Sequence, residues 1–221
     1  MSIIKKIGKK AVFSLPSSYV LMFHHVTSTP EIKCSGCLLD TDKFYKQIDL
    51  YKNYDHLKNV IAKPGMRKTA VTFDDGLEDL YTIAYPYLKA KGFPFTAFIV
   101  TDFLDKPGYI TTNHLIEMSK DKLVTIGSHG ITHRILPQLS AEEQQIEIQE
   151  SKKILEDIIN KEVFCFAYSH GQFNKDSLRY ASIYDYCMSV AGYPLNFITK
   201  RNRLLIPRYN LENATVDKLT K

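Results

Sequence analysis

The sequence predicts an α/β fold in which about seven parallel strands form a distorted or incomplete (β/α) barrel. Strand-like and helix-like segments alternate along the chain, which favours a parallel sheet. The strand segments are almost continuously apolar, as expected where both faces of a sheet are covered. The length of 221 residues is below the roughly 250 usual for eight βα units, so a shorter barrel is expected. An open doubly wound sheet is the alternative.

Strands are predicted where short apolar runs rich in β-branched or aromatic residues are followed by polar or turn-forming residues. The run Thr-Ala-Val-Thr-Phe at 69–73 is the clearest case, because it ends directly in two aspartates and a glycine. The predicted strands are 19–24, 69–73, 95–100, 123–127, 163–168, 186–190 and 204–206.

Helices are predicted where apolar residues recur at helical spacing next to capping residues. Phe44 and Ile48 show this spacing early in the chain, and Ser140 with Glu143 forms a capping box that opens a long helix. Pro86 should kink or break the helix in which it lies. The predicted helices are 41–54, 77–91, 112–120, 140–160 and 176–183.

Composition indicates one domain spanning 1–221, with 1–18 as a basic N-terminal extension. Hydrophobic content of 44% and charged content of 24% are ordinary for a globular protein. The net charge of +5 does not predict nucleic-acid binding, because the basic residues are scattered and no recognition motif accompanies them. No apolar run approaches the roughly 18 to 20 residues of a membrane span.

The basic N-terminus and a cysteine pair each have two readings. Ile3, Ile4 and Ile7 could line one face of an amphipathic helix that touches anionic lipid, although a terminal helix packed on the domain is the simpler reading. The stretch lacks the long apolar region of a signal peptide, so a cytoplasmic location, with possible membrane association, is expected. Cys34 and Cys37 have CxxC spacing but no second pair, which favours two loop thiols over a zinc ribbon.

Polar residues at the ends of two predicted strands suggest a metal site. Asp74 and Asp75 follow strand 69–73, and His129 and His133 follow strand 123–127. One carboxylate and two imidazoles make a three-ligand site, and the second carboxylate remains as a base for hydrolysis. A helical turn would bring both histidines to one face. The alternatives are two ordinary loop histidines and an Asp75 that caps the helix at 77–91.

These segments resemble the motifs of a known family. Segment 72–76, Thr-Phe-Asp-Asp-Gly, resembles the first motif of the NodB-homology polysaccharide deacetylases (carbohydrate esterase family four). Segment 128–133, Ser-His-Gly-Ile-Thr-His, resembles the second motif, usually His-Ser/Thr-x-x-His, with both histidines present. The resemblance extends over about 19–209 and is greatest to the poly-N-acetylglucosamine deacetylase branch.

The resemblance implies a metal-dependent hydrolase that removes N-acetyl, and sometimes O-acetyl, groups from carbohydrate. Asp74 would be the general base, and Asp75, His129 and His133 would hold the metal. Zinc is the expected ion, with cobalt or nickel as substitutes. The expected partner is an acetylated carbohydrate, and the sequence does not predict its sugar, its length or the oligomeric state.

The third motif of the family is altered in this chain. Ala167 stands where the family has an arginine that contacts the base, and His170 stands at the tyrosine position whose backbone N–H helps to hold the oxyanion. Arg208, in a late Ile-Pro-Arg-Tyr segment, could replace the missing arginine by reaching Asp74. A surface position for Arg208 is the competing reading.

The expected general acid is also missing, because no histidine follows His170 in the chain. His170 itself, or His24 at the end of the first strand, is therefore the candidate acid for the leaving amine. An O-acetyl esterase and a catalytically weak carbohydrate-binding relative are the alternative functions. Four aromatic residues are expected on the rim of a sugar groove: Tyr168, Phe173, Tyr184 and Tyr193.

Overall fold

Seven parallel strands form the central sheet in the computed structural model, which describes residues 18–27, 38–189 and 203–211. The spatial order of these strands is β8-β7-β6-β5-β4-β1-β9, and β2 and β3 form a separate parallel pair. This arrangement confirms the predicted barrel-like sheet. The strands are β1 (Tyr19–Phe23), β2 (His25–Val26), β3 (Leu38–Leu39), β4 (Thr69–Phe73), β5 (Phe95–Ile99), β6 (Val124–Ser128), β7 (Cys165–Ala167), β8 (Tyr186–Met188) and β9 (Tyr209–Asn210).

Helices connect successive strands. The α-helices are α1 (Thr41–Leu50), α2 (Leu57–Ala62), α3 (Tyr85–Lys91), α4 (Thr112–Lys120), α5 (Ala141–Gln145), α6 (Ser151–Ile159) and α7 (Lys175–Tyr180). Two π-helical segments, Leu80–Ala84 and Ile146–Glu150, lead into α3 and α6. Short 3₁₀ turns occupy Thr101–Phe103, Leu136–Gln138, Ser169–Gly171 and Ala181–Ile183. Among the described residues, no helix combines the length and apolar character needed to cross a membrane.

The last predicted strand, 204–206, is wrong. Ile206 makes one isolated bridge to Met188, and the strand that joins the sheet is Tyr209–Asn210, which pairs with β1. Pro207 lies between them and has no N–H to extend a hydrogen-bonded ladder. This segment therefore contacts β8 first and β1 next, which are the two sides of the gap in the barrel. Arg208 lies at this closure.

The two long predicted helices both contain a π-helical turn. Pro86 lies in the first turn of α3, where it removes one backbone donor, and the wider π-helical turn accommodates this loss. In the second helix the π-helical turn places Glu147 among the buried residues. The helix predicted at 41–54 ends at Leu50, and the short α2 that follows carried no recognisable capping signal.

The sheet is buried on both faces, as its apolar strands predict. Every residue of β4 and β5 is buried. A large apolar cluster lies between the sheet and its helices, whereas Val20, Ala70, Phe98 and Met188 belong to a second cluster. Because side chains alternate along a strand, this second cluster fills the barrel interior. The next residues along the same faces reach the carboxyl end of the barrel, where the candidate site lies.

The expectations for the N-terminal segment, for Cys34 and Cys37 and for Tyr193 fall outside the described residues. Cys165, on β7, is a free thiol buried in the barrel interior.

Candidate active site

The two aspartates lie where β4 ends and the chain turns. The N–H of Asp74 donates to the carbonyl of Phe23 at 2.9 Å, so this residue still follows the register of β1. Asp75 and Gly76 both have positive φ, at 71° and 73°. Neighbouring residues on a regular strand point to opposite faces, and the left-handed backbone at Asp75 breaks that alternation. Both carboxylates can therefore approach the same histidine.

Asp75, His129 and His133 form a compact group of ligand atoms. Oδ1 of Asp75 lies 3.5 Å from Nε2 of His129 and 3.3 Å from Nε2 of His133. The ligand atoms of all three side chains lie within 4.8 Å of one another. Nδ1 of His129 is 2.7 Å from the carbonyl of Ala167, which can only accept a hydrogen bond. Nδ1 therefore carries the proton, and the lone pair of Nε2 faces the aspartates.

The group has the properties of an open divalent metal site. Oδ1 of Asp75 is buried and has no hydrogen-bond partner among the described residues, and it lies within 3.5 Å of Nε2 of both imidazoles. Burial lowers the pKa of His129, and burial together with His170 lowers the pKa of His133 to about 4. Both rings are thus neutral at pH 7, as metal ligands must be. Two nitrogens and one oxygen match the protein ligands of a catalytic zinc site.

Asp74 forms a buried ion pair with Arg208. The guanidinium donates from two nitrogens to the two carboxylate oxygens, at 2.6 and 2.7 Å, and also reaches the hydroxyl of Thr72 at 3.3 Å. Only 2% of Asp74 and 1% of Arg208 are exposed. Burial alone would raise the pKa of Asp74, but the charge and hydrogen bonds of Arg208 hold it well below its ordinary value. The arginine absent at Ala167 is thus supplied by a different segment of the chain.

The two histidines are brought together by a loop and not by the helical turn that their spacing would allow. The chain from 129 to 133 bends without helical structure, with positive φ at Gly130 (85°) and His133 (61°). The two ring centroids lie 4.8 Å apart. Asp75 is not a helix cap either, because the helical residues begin at Glu78 and Leu77 directly precedes them.

A cleft of about 70 Å³ opens beside these ligands. His24 and His170 both line it, together with Asp74, His129 and His133. His170 is exposed, has a φ of 55° and stacks obliquely on His133 with 4.5 Å between ring centroids. Burial raises the pKa of Asp74, and the charge of His24 helps to lower it, after the larger lowering effects of Arg208 and His129. Both candidate acids therefore lie beside the site.

Aromatic residues that the sequence analysis missed stand near the candidate metal-binding group. Phe103 lies 6.1 Å from the ring of His133 and 4.6 Å from the ring of Tyr109, and Nζ of Lys106 lies 5.7 Å from the Phe103 ring. Phe103 and Tyr109 are half-buried, so each keeps an accessible part. Their position on the connection after β5, beside a strand end, was the available signal.

The predicted aromatic rim is partly wrong. Tyr184 is buried in the core, and its hydroxyl donates to the carbonyl of Ile148. Tyr168 is also buried, although one part of it lines the cleft, and half-buried Phe173 packs against it with 5.3 Å between ring centroids.

Glu147 is a further residue that the sequence analysis missed. Its carboxylate contacts the loop between the two histidines, and only 2% of the residue is exposed. The available signal was its place on the buried stripe of the long helix, with Gln144, Ile148 and Ser151 at helical spacing.

Comparisons with known proteins agree with the geometry. The polysaccharide deacetylase family model matches residues 62–189. YxkH of Bacillus subtilis (strain 168), which carries the name of a polysaccharide deacetylase, is 32% identical over 132 residues, covering 60% of this chain and 47% of YxkH. The chain thus spans about half the length of this curated relative.

Two solved structures share the fold. BC0361, a polysaccharide deacetylase from Bacillus cereus, superposes with a TM-score of 0.79 at 22% identity, covering 91% of this chain and 67% of that one. The Streptococcus pyogenes deacetylase PplD, solved in complex with acetate, superposes with a TM-score of 0.79 at 23% identity, covering 92% and 96%.

Proposed function

The chain belongs to the polysaccharide deacetylase family, and on that premise we propose that it is a metal-dependent hydrolase that removes acetyl groups from an amino-sugar-containing carbohydrate. One observation carries the proposal. The partnerless oxygen of Asp75 lies between two neutral imidazoles, next to a second carboxylate that is fully ionised. We propose Asp75, His129 and His133 as the ligands of a zinc ion, with cobalt or nickel as substitutes.

When bound at these ligands, a divalent metal lowers the pKa of a water molecule and polarises the acetyl carbonyl. Asp74 is the proposed general base, because Arg208 keeps it ionised across the physiological pH range. Its Oδ2 lies 3.8 Å from Nε2 of the ligand His129, so it borders the metal site. A carboxylate with so low a pKa is a weak base, and the water from which it takes a proton must be acidic.

Arg208 is the proposed orienting partner of this base. Two hydrogen bonds to one carboxylate fix both its position and its rotation. The carbonyl of Ala167 has a separate part, because it holds the proton of His129 on Nδ1. Because every residue type has a backbone carbonyl, alanine at position 167 can orient His129 as well as an arginine could.

His24 and His170 are the two proposed general acids. Within the described residues, they are the histidines other than the metal ligands that line the cleft. The backbone N–H of His170 is also proposed to hold the oxyanion. Because an alkoxide leaves more readily than an amine, an ester needs less help from an acid. The lack of a later histidine therefore makes O-deacetylation the second candidate activity.

The substrate is proposed to bind with a sugar ring against Phe103 and Tyr109. An aromatic side chain can cover the apolar face of a sugar ring while the hydroxyl groups at the edge of the sugar remain in contact with water. Phe103→Ala should raise KM for an N-acetylglucosamine oligomer several-fold and leave KM for a small aryl acetate unchanged. Equal effects on both substrates would contradict this placement.

Acetate release after metal removal and reconstitution tests the activity. Chelation should abolish release from an N-acetylglucosamine oligomer, and Zn²⁺ or Co²⁺ should restore it. Asp75→Ala should lose the metal, Asp74→Asn should retain it without activity, and Asp157→Asn, at an exposed aspartate of α6 outside the site, is the matched control.

Three outcomes decide between the readings. Faster turnover of an acetyl ester than of the oligomer would favour the esterase. Stoichiometric metal with no acetate released from any acetylated glycan would favour a binding protein. Activity that survives complete chelation would refute the metal mechanism.

A further inference from the structure

We propose that Glu147 is a positioning residue that holds the loop between His129 and His133 in the shape needed to bind a metal. This inference rests on the function proposed above. Glu147 is not itself among the clustered ligand atoms. It comes from the π-helical segment Ile146–Glu150, on an element that supplies no ligand.

The carboxylate of Glu147 binds the loop through three donors. Its Oε2 accepts the backbone N–H groups of Ile131 and Thr132, at 2.8 and 3.0 Å. Its Oε1 accepts the hydroxyl of Thr132. Arg134 approaches the same Oε1 at 3.5 Å from the solvent side. Since both oxygens are occupied by loop donors, Glu147 is bound to the loop and is not available as a metal ligand.

The opposite side of the loop is bound by a second element. The N–H groups of Thr101 and Asp102 donate to the carbonyls of Gly130 and Ile131, at 3.1 and 3.0 Å. The N–H groups of the loop are therefore bound by the carboxylate of Glu147, and its carbonyl groups are bound by the chain that follows β5. Removal of the carboxylate would leave two backbone donors in a half-buried region without partners.

Gly130 shows how closely the carboxylate approaches the loop. A Cβ at this position would lie 3.1 Å from Oε2 of Glu147, which is tighter than ordinary van der Waals contact. The φ of +85° at Gly130 is also one that other residues rarely adopt. The loop thus lacks a side chain at the point where Glu147 enters, and the buried carboxylate occupies that space.

The loop conformation that Glu147 holds is strained at a metal ligand. His133 has a φ of 61°, which a histidine adopts only where surrounding contacts enforce it. Its Nε2 must stay within a few ångströms of Asp75 for the two to share an ion. Partners that orient metal ligands typically contribute about 10- to 100-fold to metal affinity or activity. We assign this contribution here to Glu147.

The test measures Co²⁺ affinity and amide hydrogen exchange in the metal-free protein. Glu147→Gln keeps the size of the side chain but turns one acceptor into an NH₂ group that cannot accept from the loop. We expect a loss of Co²⁺ affinity of about 10- to 100-fold and faster exchange at the amides of Ile131 and Thr132. Glu150→Gln is the matched control, because Glu150 is exposed in the same π-helical segment.

The outcomes separate this inference from the proposed function. Co²⁺ affinity within twofold of the control, with unchanged exchange, would overturn the role of Glu147. A purely structural role would lower the melting temperature without changing Co²⁺ affinity below it, which would also overturn it. Failure of the wild-type protein to bind Co²⁺ would refute the proposed function itself.

A second variant covers the case in which Glu147→Gln does not fold. Thr132→Val removes the hydroxyl hydrogen bond to Glu147 and keeps the shape of the side chain. It should weaken Co²⁺ affinity in the same direction by a smaller factor, and unchanged affinity would count against the proposal.

Discussion

Replacing Arg208 by methionine should strongly destabilise the fold, because it leaves the carboxylate of Asp74 buried without a counter-charge. The variant loses two charge-assisted hydrogen bonds, each worth about 1.5–3 kcal/mol, between side chains that are almost completely buried. Breaking a buried pair from one side typically costs about 3–5 kcal/mol. We therefore expect the free energy of unfolding at pH 7 to fall by that amount. Exposed Arg179→Met, the control, should change it by less than about 0.5 kcal/mol.

The pH dependence of this loss follows from the direction of the pKa shift. In the wild type the pKa of Asp74 lies below its ordinary value of 3.8, so its stabilising effect is complete above that pH and is lost as the pH falls towards the folded-state pKa. Without Arg208, burial is the largest remaining influence and raises the pKa of Asp74. The destabilisation caused by the buried, unpaired carboxylate of Asp74 is then present at neutral pH. It is relieved as the pH falls through the raised pKa, because the carboxylate becomes protonated. The stability gap between the two proteins should narrow from pH 8 to pH 4.

Denaturant unfolding in the presence of a chelator, repeated across that pH range, measures the gap. The double variant Asp74→Asn with Arg208→Met removes both charges and should be more stable than the sum of the single changes predicts, by about 2–3 kcal/mol. Protonation of His129, which lies 3.8 Å from Asp74, would narrow the gap in the same direction. A gap that stays constant with pH, together with additive single changes, would refute the view that the pair is electrostatically coupled.

Three further predictions follow from the packing and the site. Gly127→Ala should lower the free energy of unfolding, measured by thermal unfolding, by about 1–3 kcal/mol, because its Cβ would lie 2.5 Å from the Phe98 ring. Gly65→Ala, where a Cβ meets open space, is the control and should be neutral or stabilising. Equal effects of the two changes would contradict the packing. Because burial and a neighbouring imidazole lower the pKa of His133 to about 4, its ring in the metal-free protein should stay neutral until the pH approaches that value. An NMR titration in which the His133 ring gains its proton already near pH 6.5 would contradict the lowered pKa. Ser140→Ala should cost about 1 kcal/mol by removing a capping box, and an unchanged melting temperature would show that the cap contributes nothing.

Much of the fold could be predicted from local pattern. The strand at β4 and the helix α4 have the predicted bounds, because a β-branched apolar run and a capped amphipathic segment each encode their own conformation. The predicted number of strands was also confirmed. The last strand was misplaced, because its pairing joins residues far apart in the chain and a proline shifts the ladder past Ile206.

The candidate site divides in the same way. The two aspartates and two histidines were predicted from motifs that lie at the ends of strands, where parallel sheets place their sites. The loop between the histidines was mistaken for a possible helical turn, since spacing alone does not show that a carboxylate from another element holds the backbone. Phe103 and Tyr109 gave no sequence signal beyond their position after a strand.

The sequence by itself determined which chemistry is available, because carboxylates and imidazoles that follow apolar strands are recognisable wherever the strands lie. Only the tertiary structure decided how those groups are held. Arg208 contacts Asp74 across 134 positions of the chain, and Glu147 reaches a loop about 15 residues before it, on a neighbouring element. Such contacts depend on how the barrel closes and on which helix face is buried. An ion pair contributes little to stability at the surface, but the disruption of a buried pair from one side strongly destabilises the fold.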